Sequence, residues 1–329
     1  MASEKMNRNV SQMFATARIY CLISIVAAHI LYPGTFAGDF WNRLGTLGVV
    51  LFLVMAGYFF RPQKFKTFGA LLGKKGVSIG IPWLFLGSLT WLYNAILSVK
   101  FRSLGGYFQW IFGNGTYLYY LPVLFFCFLL FYRAPKVLRY VALLMTAISI
   151  FLTAMGFLDV AISFLGVNHY LNVFNWIGFF ALGMILQEAD PEKLFGFFQK
   201  FKWLNFSLFA VALALLLVFR EIPYHYFSFV AIPYEILGGM AILSLSTYSL
   251  TRFSVFNWLS GFSFSIYLFH MIFIGLFDRL LGISEITRML SPIVIIASCF
   301  LMFLIGWFLF RKLRLEKVYA LLTGCRLSK

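Results

Sequence analysis

The feature that most constrains this chain is a recurrence of long apolar runs separated only by short polar segments. Ten runs lie near Ala15–Tyr32, Leu47–Phe60, Ile79–Ser98, Tyr117–Tyr132, Val137–Phe157, Val173–Gln187, Leu204–Phe219, Phe229–Leu250, Phe256–Phe277 and Pro292–Phe310. A bilayer-crossing helix needs about 20 mostly apolar residues, and it must be a helix because lipid offers no partner for backbone N–H and C=O groups. Composition agrees. The 329 residues are 62% apolar and 12% charged, against roughly 45–50% and 25% in an ordinary soluble domain, which excludes a soluble protein. The expected fold class is an all-α integral membrane protein with about ten transmembrane helices. A single membrane domain over residues 1–329 is expected, with no appended soluble domain, no internal repeat and no cleavable signal peptide, since the first run lacks a small-x-small cleavage site.

Lys and Arg outnumber Asp and Glu by 27 to 11. In a soluble protein that excess points to nucleic acid; in a membrane chain it marks cytoplasmic loops and anionic headgroups. The expected partners are therefore membrane lipids and not nucleic acid. With both termini cytoplasmic, 21 of the 27 cations fall inside and six outside, the latter being Arg43, Lys100, Arg102, Arg220, Arg279 and Arg288. The four cysteines, Cys21, Cys127, Cys299 and Cys325, are scattered without CxxC or ligand spacing, so neither a disulfide framework nor a metal site is implied.

A charge at the centre of a membrane helix costs roughly 2.5–3.5 kcal/mol on insertion scales, so ionisable residues inside the runs are functional candidates. They are few: Arg18 and His29 in the first run, Glu235 in the eighth and His270 in the ninth. At about 1.5 Å per residue, His29 and His270 each lie roughly 21 Å from the cytoplasmic start of their runs, and Glu235 roughly 9 Å below the outer face. This count places all three at one level in the outer third. Pro233 precedes Glu235 and is expected to open the helix there; the carboxyl is then either kept neutral by desolvation or paired with a histidine. Arg18 and His29 are eleven residues apart and share a helical face. A cation at the cytoplasmic mouth with a base deeper on the same face suits a long ligand with an anionic end, such as an acyl-coenzyme A.

In order along the chain, ARIYCLISIVAAH (Ala17–His29), GVVLFLVMAGYFF (Gly48–Phe60), LGMIL (Leu182–Leu186) and FSFSIYLFH (Phe262–His270) resemble elements of the membrane-bound acyltransferase-3 family, which O-acylates bacterial surface polysaccharides and related molecules. Two departures stand out. Ala56 occupies a position where that family usually has Ser, so no hydroxyl acts there. KKGVSIGIP (Lys74–Pro82) stands where an Arg-x-x-Arg pair is common, and lysine lacks the bidentate fork of arginine.

The resemblance implies a membrane O-acetyltransferase in the bacterial inner membrane, with acetyl-coenzyme A as donor substrate, no metal, and a cell-envelope glycan or lipid-linked sugar as acceptor. Arg18, Lys74 and Lys75 are expected to hold the donor phosphates. His29 is then general base or acyl-imidazole relay, with Glu235 or His270 orienting it. Tyr267, three residues before His270 on the same helical face, is a candidate oxyanion donor. Outer-loop residues Asp39, Trp41, Asn42, Arg43, Lys100, Arg102 and Tyr107 are candidates for sugar contact. The competing reading is an exporter or flippase of polysaccharide or lipid-linked glycan, lined by the same polar groups; a sensor or scaffold is a third.

Overall fold

The computed structural model describes residues 2–30, 32–97, 102–158, 168–219, 226–248 and 254–325. Among them the regular elements are helices, numbered here in chain order: α1 (Ala2–Ala28), α2 (Phe36–Gly45), α3 (Leu47–Phe59), α4 (Phe68–Lys75), α5 (Ile81–Leu97), α6 (Leu104–Ile111), α7 (Tyr120–Leu130) and α8 (Val137–Ala154). There follow α9 (Ile177–Leu186), α10 (Pro191–Lys200), α11 (Lys202–Val218), α12 (Ala231–Ser246), α13 (Ser254–Ser260), α14 (Ser263–Leu281), α15 (Glu285–Lys312) and α16 (Glu316–Thr323).

Every apolar run carries helix, but the runs are unequal. Five spans meet the length and composition of a membrane helix, namely Asn9–Ala28, Phe36–Phe59, Phe68–Leu97, Val137–Ala154 and Glu285–Lys312, and α10 with α11 makes a sixth if that pair, bent by 59°, is one span. Tyr117–Leu130, Val173–Leu186, Ala231–Ser246 and Ser263–Asp278 are apolar helices of 10–17 residues, short of a hydrocarbon core about 30 Å thick at about 1.5 Å per residue. The chain is thus a helical, multi-pass membrane protein with five to six spans of full length among the described residues, where sequence alone suggests about ten. Local chemistry explains several breaks. Asp190 caps α10 with Pro191 at its first position, and Ser284 with Thr287 forms a capping box that starts α15. The ninth run is interrupted between Ser260 and Ser263. Of the cations used to orient the chain, Lys100, Arg220, Arg252, Arg326 and Lys329 lie outside the described residues.

The described residues pack as two units, one from within Met1–Phe60, Pro135–Ala161 and Phe174–Ser260, the other from within Arg61–Ala134, Ile162–Val173 and Gly261–Lys329. The first unit holds α1–α3 and α8–α13. Its core gathers Met13, Phe14 and Cys21 of α1, Leu51 and Met55 of α3, and Tyr234 and Ala241 of α12. Lipid tails are as apolar as leucine, so helices in a membrane associate mainly by close packing through small residues. Gly57 and Gly183 do this between α3 and α9: a Cβ at Gly57 would lie 1.9 Å from Phe180 O, and one at Gly183 1.9 Å from Val54 O. Gln187 Nε2 then donates to Tyr58 O (2.5 Å) and Phe60 O (2.8 Å), closing the end of α3. Past the end of α9, Lys136 and Arg139 hold the Glu188 carboxyl below its usual range.

In the second unit, α5 and α6 are pinned by Trp83 Nε1 donating to Ile111 O (3.0 Å) and Trp110 Nε1 donating to Gly87 O (3.2 Å). Ser265 Oγ donates to Thr323 O (2.7 Å), tying α14 to α16, and Tyr319 Oη donates to Phe303 O (2.6 Å), tying α16 to α15.

Candidate functional site

Arg18, His29 and Glu235 belong to the first unit. Arg18 lies along α1, half-buried, with its guanidinium 5.2 Å from the centroid of the Phe59 ring. His29 follows the last residue of α1, and its N–H donates to Val26 O at 3.1 Å, a tightened final turn. The sequence count sets His29 two-thirds of the way through a span starting at Ala15. The apolar span instead runs Asn9–Ala28, because α1 is already helical from Ala2, and His29 stands just past its C-terminal end.

Against this end of α1 lies a corner formed by Gly45, Thr46, Leu47 and Gly48, where α2 passes into α3. A Cβ at Gly45 would lie 2.7 Å from Ala28 Cα, and one at Gly48 2.6 Å from Cys21 O. Ser24 Oγ fixes the contact, donating toward Leu44 O (2.5 Å) and Gly45 O (3.1 Å) and accepting from the Gly48 N–H (2.8 Å). Glu235 reaches the same corner from α12. It is 5% exposed, and its carboxyl accepts from the Thr46 hydroxyl. Its Oε1 has no hydrogen-bond partner among the described residues. One turn on, Gly238 packs on Leu47, where a Cβ would stand 2.4 Å from Leu47 Cδ2. The corner is therefore held between α1 and α12, with His29 next to one face and Glu235 on the other.

Pro233 does not open α12. It is the third residue of a helix beginning at Ala231, where backbone N–H groups lack intrahelical acceptors in any case. Its missing N–H costs nothing there, and Glu235 begins the second turn of an intact helix.

Arg43, a sequence candidate for sugar contact on an outer loop, instead lies buried on a helix. It is 7% exposed in the last turn of α2. Trp41 is buried on the same helix. The readable signal was Thr35, whose side chain caps α2 by accepting from the Gly38 N–H at 3.0 Å, with Asp39 in the first turn. Of the other outer-loop candidates, Arg102 closes the end of α5 by donating to Ala95 O (2.9 Å) and Ile96 O (3.2 Å), and Tyr107 pairs with Ser88 (3.0 Å).

Lys74, Lys75, Tyr267 and His270 belong to the second unit. The two lysines close α4 and precede a π-helical segment, Gly76–Gly80, a widened turn of the kind found at functional sites. Lys75 Nζ stands 3.5 Å over the Phe128 ring; Lys74 is exposed, 5.7 Å from the Phe65 ring. Gly73, Gly76 and Gly80 border open space, a Cβ at each meeting nothing within 4 Å.

His270 is fully buried. Its Nδ1 faces two carbonyls of its own helix, Tyr267 O (2.7 Å) and Ile266 O (3.3 Å), so Nδ1 carries the proton and Nε2 the lone pair. Its expected depth rested on an unbroken ninth run, which the break before Ser263 removes. The Tyr267 hydroxyl donates to Tyr117 O (2.7 Å) while the Tyr117 hydroxyl donates to Leu268 O (2.6 Å). This reciprocal pair commits the one proton of Tyr267 to the backbone. Among the described residues no three His, Cys, Asp or Glu side chains are grouped to hold a metal ion.

Comparison with known proteins gives one match. A family model described as an acyltransferase domain covers residues 15–311, from α1 to the last turn of α15. No curated protein and no solved structure matches the chain.

Proposed function

The chain belongs to the acyltransferase-3 family, and on that premise we propose that it is an inner-membrane O-acetyltransferase of a bacterium. In this reading an acetyl group passes from cytoplasmic acetyl-coenzyme A to a hydroxyl of a cell-envelope glycan or lipid-linked sugar. Family membership speaks for acyl transfer rather than for glycan export.

The observation that supports this chemistry is the corner at Gly45–Gly48, which packs on Ala28, the residue before His29, and meets a buried carboxyl with an open oxygen, that of Glu235. Transfer to a hydroxyl needs a base for its proton, a task worth about 10²–10⁴ in rate. The His29 lone pair takes the acceptor proton as that oxygen attacks the thioester carbonyl. The tetrahedral intermediate collapses, the C–S bond breaks, and the imidazolium returns the proton to the leaving sulfur. An alternative order, in which His29 first takes the acetyl group itself, uses the same residues. Glu235 accepts a hydrogen bond from the acceptor or orients the imidazole.

For the donor, Arg18 in the first unit and Lys74 and Lys75 in the second are separate assignments to the coenzyme A phosphates. The open glycine flank beside the two lysines suits a narrow pantetheine arm, which a Cβ-bearing face would crowd. His270 and Tyr267 act as positioning residues in this reading, since the Tyr267 hydroxyl and the His270 Nδ1 are both committed to backbone carbonyls.

The test is transfer of labelled acetyl from acetyl-coenzyme A by the purified protein, together with mass spectrometry of surface glycans from strains with and without it. Acetylation that depends on the protein is expected. Unchanged glycans and no transfer from acetyl-coenzyme A would overturn the reading.

A further inference from the structure

We propose that the exposed face around Phe68, Tyr132 and Arg133 is a binding subsite for a phosphorylated purine nucleoside, the end of acetyl-coenzyme A that carries no acyl group. The inference deepens, and rests on, the donor proposed above: the nucleotide, and not only the thioester arm, is then part of what the protein reads.

These residues all belong to the second unit, and each contact between them is direct. Tyr132 and Arg133 follow the C-terminal end of α7, and the segment before α4 folds against them. The Tyr132 hydroxyl donates to Phe65 O (3.3 Å), and Arg133 Nη2 donates to Lys66 O (3.2 Å). Around this tie the Phe68 and Tyr132 ring centroids are 5.7 Å apart, the Arg133 guanidinium is 5.3 Å from the Tyr132 ring, and the Lys74 ammonium is 5.7 Å from the Phe65 ring. The outward side is open. Phe68 is 47% exposed, and Lys66, Lys74 and Arg133 are exposed as well. A Cβ added at Gly69 would meet nothing nearer than Thr67 Oγ1 at 4.0 Å.

The charge here is uncompensated. Positions 40–158 contain neither Asp nor Glu, and among the described residues no carboxylate pairs with Lys66, Lys74 or Arg133. Arg133 commits one N–H to Lys66 O and keeps its others for an anion, and a guanidinium fits a phosphate in bidentate fashion. Cations alone would suit any anionic headgroup; an exposed flat ring beside them adds a stacking surface for a base. Spacing points the same way. From Phe68 to Lys75, α4 rises about 10 Å and makes nearly two turns, so both residues project from one side of the helix. A base at Phe68 therefore leads to the two lysines assigned to the donor phosphates, and then to the open glycines Gly76 and Gly80. Base, phosphates and narrow arm follow one another in that order along coenzyme A.

Binding is measured on the purified full-length protein in nanodiscs of phosphatidylcholine alone, with coenzyme A, dephospho-coenzyme A and phosphopantetheine as probes; acetyl transfer is measured separately. The wild type is expected to bind coenzyme A about tenfold or more tighter than phosphopantetheine, and Phe68→Leu to remove about tenfold of that preference, while Phe68→Trp, which keeps a flat ring, retains it. Arg133→Gln should bind coenzyme A no better than dephospho-coenzyme A, which lacks the phosphate on the ribose. Phe68 and Arg133 are exposed, and unfolding temperatures measured without ligand separate loss of binding from loss of fold. The proposal fails if the wild type binds coenzyme A and phosphopantetheine alike, or if Phe68→Leu and Arg133→Gln keep the wild-type preferences. It fails equally if these variants change only the thermal protection gained when phosphatidylglycerol is added to the nanodiscs, the result a lipid-headgroup site would give. Nucleotide binding that depends on both residues, without any acetyl transfer, would keep the subsite and overturn the acetyltransferase reading instead.

Discussion

Gly45 and Ala28 touch backbone to backbone: a Cβ at Gly45 would stand 2.7 Å from the Ala28 Cα. His29 is the next residue and Thr46 bonds Glu235, so this contact joins the end of α1 to the corner that Glu235 of α12 reaches.

Gly45→Ala should therefore cost activity as well as stability. Overpacking of this kind costs about 1–3 kcal/mol, and here the displaced atoms carry His29, so turnover should fall by tenfold or more. Gly57→Ala, whose Cβ would meet Phe180 O at 1.9 Å, should destabilise at least as much. Thermal unfolding and acetyl transfer on both variants check this; a Gly45→Ala protein with full turnover would show that the corner does not align the site.

His29→Ala should abolish transfer, with binding of acetyl-coenzyme A retained. Glu235→Gln, which keeps the shape but not the charge, should lower kcat by at least tenfold. Single-turnover measurements with labelled acetyl-coenzyme A decide the point, and near wild-type rates in His29→Ala would sink the proposed base.

Replacing Arg18 by Ala, or Lys74 and Lys75 together by Gln, should raise the KM for acetyl-coenzyme A with little change in kcat. The Lys75 ammonium over Phe128 contributes about 0.5–2 kcal/mol as a cation–π contact, so Phe128→Leu should reproduce part of the Lys75 effect on stability. If the lysine variants alter only the unfolding temperature, they are anchors and not phosphate ligands.

Tyr267→Phe separates two roles for that hydroxyl. Loss of its bond to Tyr117 O should cost about 1 kcal/mol of stability and change kcat by only a few-fold. A fall of 10²–10³ in kcat, the usual cost of a lost oxyanion donor, would restore it as a catalytic group.

Gln187→Leu strips the Tyr58 and Phe60 carbonyls of a shared donor. A drop of about 1–3 kcal/mol in stability is expected, with the KM for acetyl-coenzyme A unaltered. An unchanged unfolding temperature would mean that these carbonyls find other partners.

The apolar runs and motifs of the sequence carried the helical class, the membrane setting and the family, because each depends on local composition or on spacing along one segment. Arg18, His29 and Glu235 were legible for a related reason: an ionisable side chain is conspicuous in a run of 14 to 22 apolar neighbours. The burial of Arg43 was not, since a cation near an aromatic in a short polar stretch reads as a surface loop until α2 is seen to bury it.

Helix length was decided by the tertiary structure, which splits the ninth run at Gly261 and Phe262 and bends α10 against α11 by 59°. Hydropathy sees an average over a window and not the backbone break inside it. The same limit hid the open Oε1 of Glu235, whose surroundings come from other segments of the chain. Sequence determined which polar groups enter the membrane domain; only folding decided which of them are bonded and which face open, because hydrogen-bond satisfaction is a property of three-dimensional neighbours that no single segment contains.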